Sequence, residues 1–141
     1  MKLFLDTNVF LRFFVTESSY FNQECVQLIG FIKNGLIIPY TSNIVLLEFH
    51  YVLLKTYKQP KRIIIRDINS ILNLRNLYLI ENADFKKAMK YYRNHNIKFG
   101  DCLIASQIPQ NCLLCTYDKD FAKIPGLNIV TPSQVINKFK I

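Results

Sequence analysis

The chain has 141 residues, half of them apolar and only a fifth charged; this is enough for an ordinary hydrophobic core and excludes a disordered or charged fibrous protein. Its 18 Lys and Arg against 10 Asp and Glu leave a formal charge of +8 and a pI near 9.4, which makes polyanions the natural partners. Asp6 and Asn8 interrupt the apolar N-terminal stretch and no long apolar run occurs elsewhere, so neither a signal peptide nor a membrane span is predicted and a cytoplasmic location is expected.

Taken in chain order, punctuation alternates strands with helices. Residues 2–5 read as a short buried strand running into Asp6, Thr7 and Asn8, which can turn or cap the chain before a helix from about residue 9. Phe21, Cys25, Leu28, Ile29 and Ile32 recur at helical spacing, and Asn34 and Gly35 supply a stop. Residues 36–40 read as a second strand, with Thr41, Ser42 and Asn43 as cap candidates for a long apolar helix to about residue 57. Pro60 restarts the chain; Ile64, Ile68, Ile71 and Leu72 mark another amphipathic helix, residues 77–80 a strand, and Phe85, Ala88, Met89 and Tyr92 a further helix. The opposite face of that helix carries Lys86, Lys87, Lys90 and Arg93.

A short helix follows Asp101 to about residue 108, then the apolar run 112–117, the sequence DKDF, a strand at 128–130 and a last helix opened by Thr131 and Pro132. With no repeat, linker or low-complexity tract, residues 1–141 are expected to form one domain. Strands separated by helices, without hairpin turns, predict an α/β fold with a mostly parallel sheet covered on both faces. Cys25, Cys102, Cys112 and Cys115 lack the spacing of a disulfide framework. Cys112 and Cys115 have no second pair to complete a zinc site and would point to opposite faces of a strand, so buried free thiols are expected.

In parallel sheets ligands gather beyond the carboxyl ends of the strands. Asp6 ends the first strand, Asp118 ends the strand near residue 115, Asp101 opens a helix, and Glu48 lies in the second turn of the helix after strand two. Singly, each Asp has an ordinary explanation as a cap or turn residue. Glu48 does not, because its helical neighbours Ile44, Val45, Tyr51 and Val52 are apolar or aromatic and Lys55 is two turns away. Carboxylates gathered without a cation raise one another's pKa, and oxygen-only donors suit a hard dication, Mg2+ or Mn2+, rather than zinc. His50 and His95 are not spaced as a ligand pair.

The segments MKLFLDTNVFLRFF, IPYTSNIVLLEFHYVL, KFGDCLIAS and LLCTYDKDF together resemble the PIN-domain ribonucleases, and among them the VapC-type toxins of toxin–antitoxin pairs. The resemblance covers nearly the whole chain, with the motifs in order. It implies a three-layer α/β/α sandwich around a five-stranded sheet in the order 3-2-1-4-5, and Mg2+- or Mn2+-dependent cleavage of RNA to 5′-phosphate and 3′-hydroxyl ends. Position by position, Asp6, Glu48 and Asp101 match the family's three acidic ligands, Asp118 the more variable fourth, and Asn8 and Thr116 the polar residues that orient them. Asp120 competes with Asp118, which is preferred because it follows Thr116 as the motif does. Gly100 departs from the small or apolar residue of many relatives.

Arg12, Lys98 and Lys119 lie near the acids in sequence and are candidate RNA phosphate contacts. Phe13, Phe14, Tyr20 and Phe21 could form an apolar surface for self-association or a partner helix. The resemblance implies a homodimer and an antitoxin that blocks the acidic site, with an Arg near the carboxylates. A housekeeping RNA-processing nuclease and a non-catalytic PIN-like module that binds RNA or protein are the alternatives. A phosphatase or nucleotide-binding protein is disfavoured, because the first strand ends in DTN rather than a double-Asp nucleophile motif and there is no Gly-rich phosphate loop.

Overall fold

Leu3, Phe4 and Leu5 have no exposed surface, as expected of an apolar strand with helices over both faces. This strand, β1 (Lys2–Leu5), is the centre of the sheet in a computed structural model that describes residues 1–15 and 19–140. On one side of it lie β2 (Ile38–Ser42) and β3 (Tyr78–Ile80), on the other β4 (Leu113–Cys115) and β5 (Ile129–Val130). All pairings are parallel, in the order β3-β2-β1-β4-β5. The chain therefore builds outward from β1 in one direction, then crosses back to the other side, and the strand order reverses between β1 and β4.

Helices α1 (Thr7–Phe14) and α2 (Tyr20–Lys33) connect β1 to β2, α3 (Asn43–Lys55) and α4 (Lys61–Leu72) connect β2 to β3, and α5 (Phe85–Asn94) and α6 (Phe99–Ser106) connect β3 to β4. A 3-10 turn (Lys119–Lys123) leads into β5, and α7 (Pro132–Lys138) follows with the capping box formed by Thr131 and Gln134. No described helix is long and apolar enough to cross a membrane. All four cysteines are buried free thiols.

Among the expected boundaries that move, three have a clear local reason. The first helix starts at Thr7 rather than near residue 9, because Asp6 already has the extended backbone of an N-cap. The second strand starts at Ile38 rather than residue 36. Gly35, with φ +79°, closes α2 in a Schellman turn in which Gly35 N–H donates to Ile32 and Leu36 N–H to Phe31, so residue 36 still belongs to the helix ending. The helix expected after Asp101 begins before it, at Phe99, and places Asp101 in its first turn.

The apolar stripes also differ from expectation on two helices. In α2 the buried set is Asn22, Glu24, Cys25, Leu28, Ile29 and Ile32, while Phe21 is largely exposed. In α5 only Ala88 is buried; Phe85, Met89 and Tyr92 face outward, because this helix packs on α6, where Phe85 and Tyr92 lean on Phe99 at 6.2 and 5.3 Å. Between α1 and α3 the core is aromatic: Phe10 and Phe49 meet edge to face at 6.2 Å, and Phe14 lies 5.7 Å from Phe49. At the β2–β3 pairing Tyr40 stacks on its register partner Tyr78 at 4.8 Å.

Phe49 has no exposed surface and Leu47, two residues away, is 66% exposed. Phe49→Ala is expected to lower stability by about 3–5 kcal/mol in urea unfolding, and Leu47→Ala, in dilute protein where that side chain meets only solvent, to stay within about 0.5 kcal/mol of wild type.

Candidate active site

The end of β1 and the end of β4 are joined by one polar knot. Asp6 N–H donates to the Cys115 carbonyl at 3.1 Å, continuing the ladder one residue past both strands. The Asp6 carboxylate does not cap α1; its Oδ2 accepts instead from the Thr116 hydroxyl at 2.7 Å and from Asn8 Nδ2 at 3.1 Å. Asn8 Oδ1 accepts from Tyr117 N–H at 3.2 Å, and Thr116 Oγ1 accepts from Asp118 N–H at 3.0 Å. Asn8 and Thr116, the two polar residues singled out beside the acids, therefore hold Asp6 and the chain that carries Asp118.

Glu48 and Asp101 come from helices that are aligned at their far ends. Gln107, just past α6, donates from Nε2 to Asn43 Oδ1 at 2.9 Å and to the Asn82 carbonyl at 3.3 Å, tying the end of α6 to the start of α3. The second turn of α3 then lies against the first turn of α6, and the Glu48 and Asp101 carboxylates repel one another. Glu48 is half-buried rather than enclosed. Of its helical neighbours Val45 is buried but Tyr51 is 61% exposed, so Glu48 sits on the border of the apolar stripe. The groups bearing on it are Asp101, Thr7, Lys98 and Asp118, not Lys55.

Electrostatics bind the four acids into one group. Burial, followed by repulsion from Glu48 and Asp118, pushes Asp6 up to about 6 against the hydrogen bond from Thr116. Burial, followed by repulsion from Asp6 and Asp118, pushes Asp101 up to about 7 although Lys98 opposes it. Burial raises Glu48, with Asp101 adding to the shift. The last two acids differ in their partners. Asp118 acts on Asp6, Glu48 and Asp101, whereas Asp120 acts on Asp101 and pairs with Lys123 at 3.0 Å. Asp118 also caps the 3-10 turn, accepting from Asp120 N–H at 2.9 Å.

Among the described residues no three acidic, His or Cys side chains yet stand close enough to hold an ion. The donor set is nevertheless all carboxylate, three members resist ionisation, and a buried hydroxyl beside them, Thr7 Oγ1, has no hydrogen-bond partner among the described residues. In charge and donor type this set fits a hard dication. Of the candidate cationic contacts, Lys98 is exposed, occupies the N-cap of α6 and bears on Glu48 and Asp101. Arg12 lies instead over the rings of Phe21 and Tyr117, at 4.9 and 5.9 Å. Lys119 is exposed at the start of the 3-10 turn.

Two features escaped the sequence reading. Thr7 looks like a turn residue between two more conspicuous neighbours. Glu24 is buried in α2 and accepts from the Tyr117 hydroxyl at 2.9 Å, with Cys25 Sγ 3.5 Å from the same oxygen. The neighbour test that picked out Glu48 would have found Glu24 too, since Tyr20, Phe21 and Leu28 stand three or four residues from it.

A family model described as the PIN domain matches residues 3–127. VapBC2 from Rickettsia felis, solved bound to a DNA fragment from its promoter, is similar to this chain with 22% identity and a TM-score of 0.69, over 93% of this chain and 98% of that one. VapBC-1 from nontypeable Haemophilus influenzae gives 18% identity and 0.68, over 94% and 99%. FitAB, also solved with DNA, gives 20% and 0.62, over 94% and 95%. No curated protein matches the sequence.

The raised acids make a signed prediction for the metal-free protein. A carboxyl whose folded pKa lies above its unfolded value stabilises the fold below the unfolded pKa, and loses that contribution as pH rises through the folded one. For Asp101 this window runs from 3.8 to about 7. In chelator, Asp101→Asn is expected to melt a few degrees above wild type at pH 8 and to lose that advantage at pH 4, as thermal denaturation across the range would show.

Proposed function

Because the chain belongs to the PIN-domain family, we propose that it is a metal-dependent endoribonuclease that hydrolyses RNA phosphodiester bonds as the toxin of a toxin–antitoxin pair. The support that carries this reading is the mutual electrostatic influence of Asp6, Glu48, Asp101 and Asp118, with Asp6 and Asp118 following the two strands between which the order reverses, on a protein with a formal charge of +8. The toxin assignment draws support from the likeness to VapBC2, VapBC-1 and FitAB.

Asp6, Asp101 and Asp118, together with Glu48, would hold Mg2+ or Mn2+, and the bound ion would supply the charge that polarises the scissile phosphate and lowers the pKa of a water. Thr116 and Asn8 hold the Asp6 carboxylate by hydrogen bonds, and the Thr116 bond favours its charged form. Asp118 N–H, bonded to the same Thr116 hydroxyl, holds that part of the chain in register with Asp6. Lys98, which bears on Glu48 and Asp101, is assigned a phosphate of the incoming strand; the exposed Lys119 is assigned a more distant one, and Arg12, stacked on Phe21 and Tyr117, has less support for such a contact.

The same reading assigns partners. Leu47, Tyr51 and Leu54 form an exposed apolar face on α3 suited to a second copy of the chain. A cleft of about 210 Å³ lined by Phe13, Phe14, Ile29, Lys33 and Leu74 suits an apolar antitoxin segment. Separately, an Arg of the antitoxin is assigned to the carboxylates, as the family resemblance implies.

Purified protein is expected to cleave single-stranded RNA with Mg2+ or Mn2+ and to stop in chelator. Asp6→Asn and Asp101→Asn are expected to lose more than about a hundredfold in rate, since even groups that merely orient metal ligands are worth 10–100-fold. Cleavage at equal rates by wild type and both variants, or by none of them with either metal, sinks the proposal.

A further inference from the structure

Thr7 presents a contradiction that packing alone does not explain. Its side chain is 2% exposed, and its hydroxyl has no hydrogen-bond partner among the described residues. A buried unpaired hydroxyl costs stability, and Val would fill the same volume without it. Because Thr7 is the first residue of α1, the carbonyls three and four residues back belong to β1 rather than to a preceding helical turn. The usual refuge of a helical Thr hydroxyl is therefore missing.

The group that this hydroxyl faces is Glu48. The two are near enough for Thr7 to favour the charged form of the Glu48 carboxyl, yet not in the geometry of a formed bond. The backbone N–H of the same residue bears on the Asp6 carboxylate. One residue thus bears on the acid that follows β1 through its main chain and on an acid of α3 through its side chain. Being β-branched in a helix, it has few rotamers in which to move away.

We infer that Thr7 is a positioning residue whose hydroxyl donates to the Glu48 carboxylate when the four acids are drawn in around a cation. The inference rests on the nuclease reading above. It makes the unpaired hydroxyl a donor held ready for the loaded state, so the metal-free protein bears a desolvated group that cation binding satisfies.

Thr7→Val and Thr7→Ser separate this role from a structural one. In chelator, Thr7→Val is expected to melt no lower than wild type, because it removes an unpaired buried hydroxyl and keeps the shape. The same variant is expected to bind Mn2+ about tenfold more weakly by calorimetry, and to lose about tenfold in kcat with KM for RNA within about twofold. Thr7→Ser, which keeps the hydroxyl, is expected to retain Mn2+ affinity within about threefold. A metal-free Thr7→Val that melts clearly lower than wild type, or one that binds Mn2+ as wild type does, overturns the role of Thr7 alone. A wild-type protein that binds no Mn2+ overturns the nuclease reading and the role of Thr7 with it.

Discussion

The pairing of β1 with β4 is the constraint on which the rest depends. It sets Leu5 opposite Cys115, carries the ladder on to Asp6, and lets residues 110 positions apart in sequence share a 2.7 Å hydrogen bond from Thr116 to Asp6. Parallel strands alternate their side chains between faces, so a register slip of one residue would turn Thr116 away from Asp6. The slip would also carry Asp118 out of the group, since its N–H is held by the same hydroxyl. Leu3, Phe4 and Leu5 against Leu114 and Cys115, all without exposed surface, make the slip costly. The apolar core thereby sets the register of the polar knot.

The fold places carboxylates where they are uncomfortable. Asp6 and Asp101 are both buried and both resist ionisation; each has burial as its main penalty and other acids as the next. Stability alone would favour amides or apolar residues at these positions, and strain of this kind is typical of sites kept for their chemistry. The surrounding structure limits the damage unevenly. Asp6 receives two side-chain donors, while Asp101 and Glu48 have Lys98 at their edge.

Much of this was legible in the sequence because strong local signals agreed with the global arrangement. The alternation of strands and helices, the stop at Asn34 and Gly35, the cap at Ser42 and the Thr131–Pro132 start all stand in the structure. The sheet order came from family resemblance rather than from periodicity, since apolar strands do not state which neighbour they pair with. Boundaries slipped where the same residues could end one element or begin another, as at Leu36. Buried polar residues were missed at Glu24 and Thr7 because their burial depends on what packs over them, Tyr117 in the first case and the α3 helix in the second. The neighbour argument for Glu48 picked a residue now seen beside the other acids, but through a stripe that is apolar without being wholly buried.

The sheet's two ends have a consequence of another kind. Its outer strands are β3, with three residues, and β5, with two. An edge this short offers little template for a foreign strand, whose main-chain hydrogen bonds would end almost as soon as they began. The central strands with the longest apolar runs are shielded by those stubs. Even with exposed aromatics such as Tyr78 at the rim, the protein is poorly suited to cross-β growth, and encounters between copies are left to the side-chain faces of its helices.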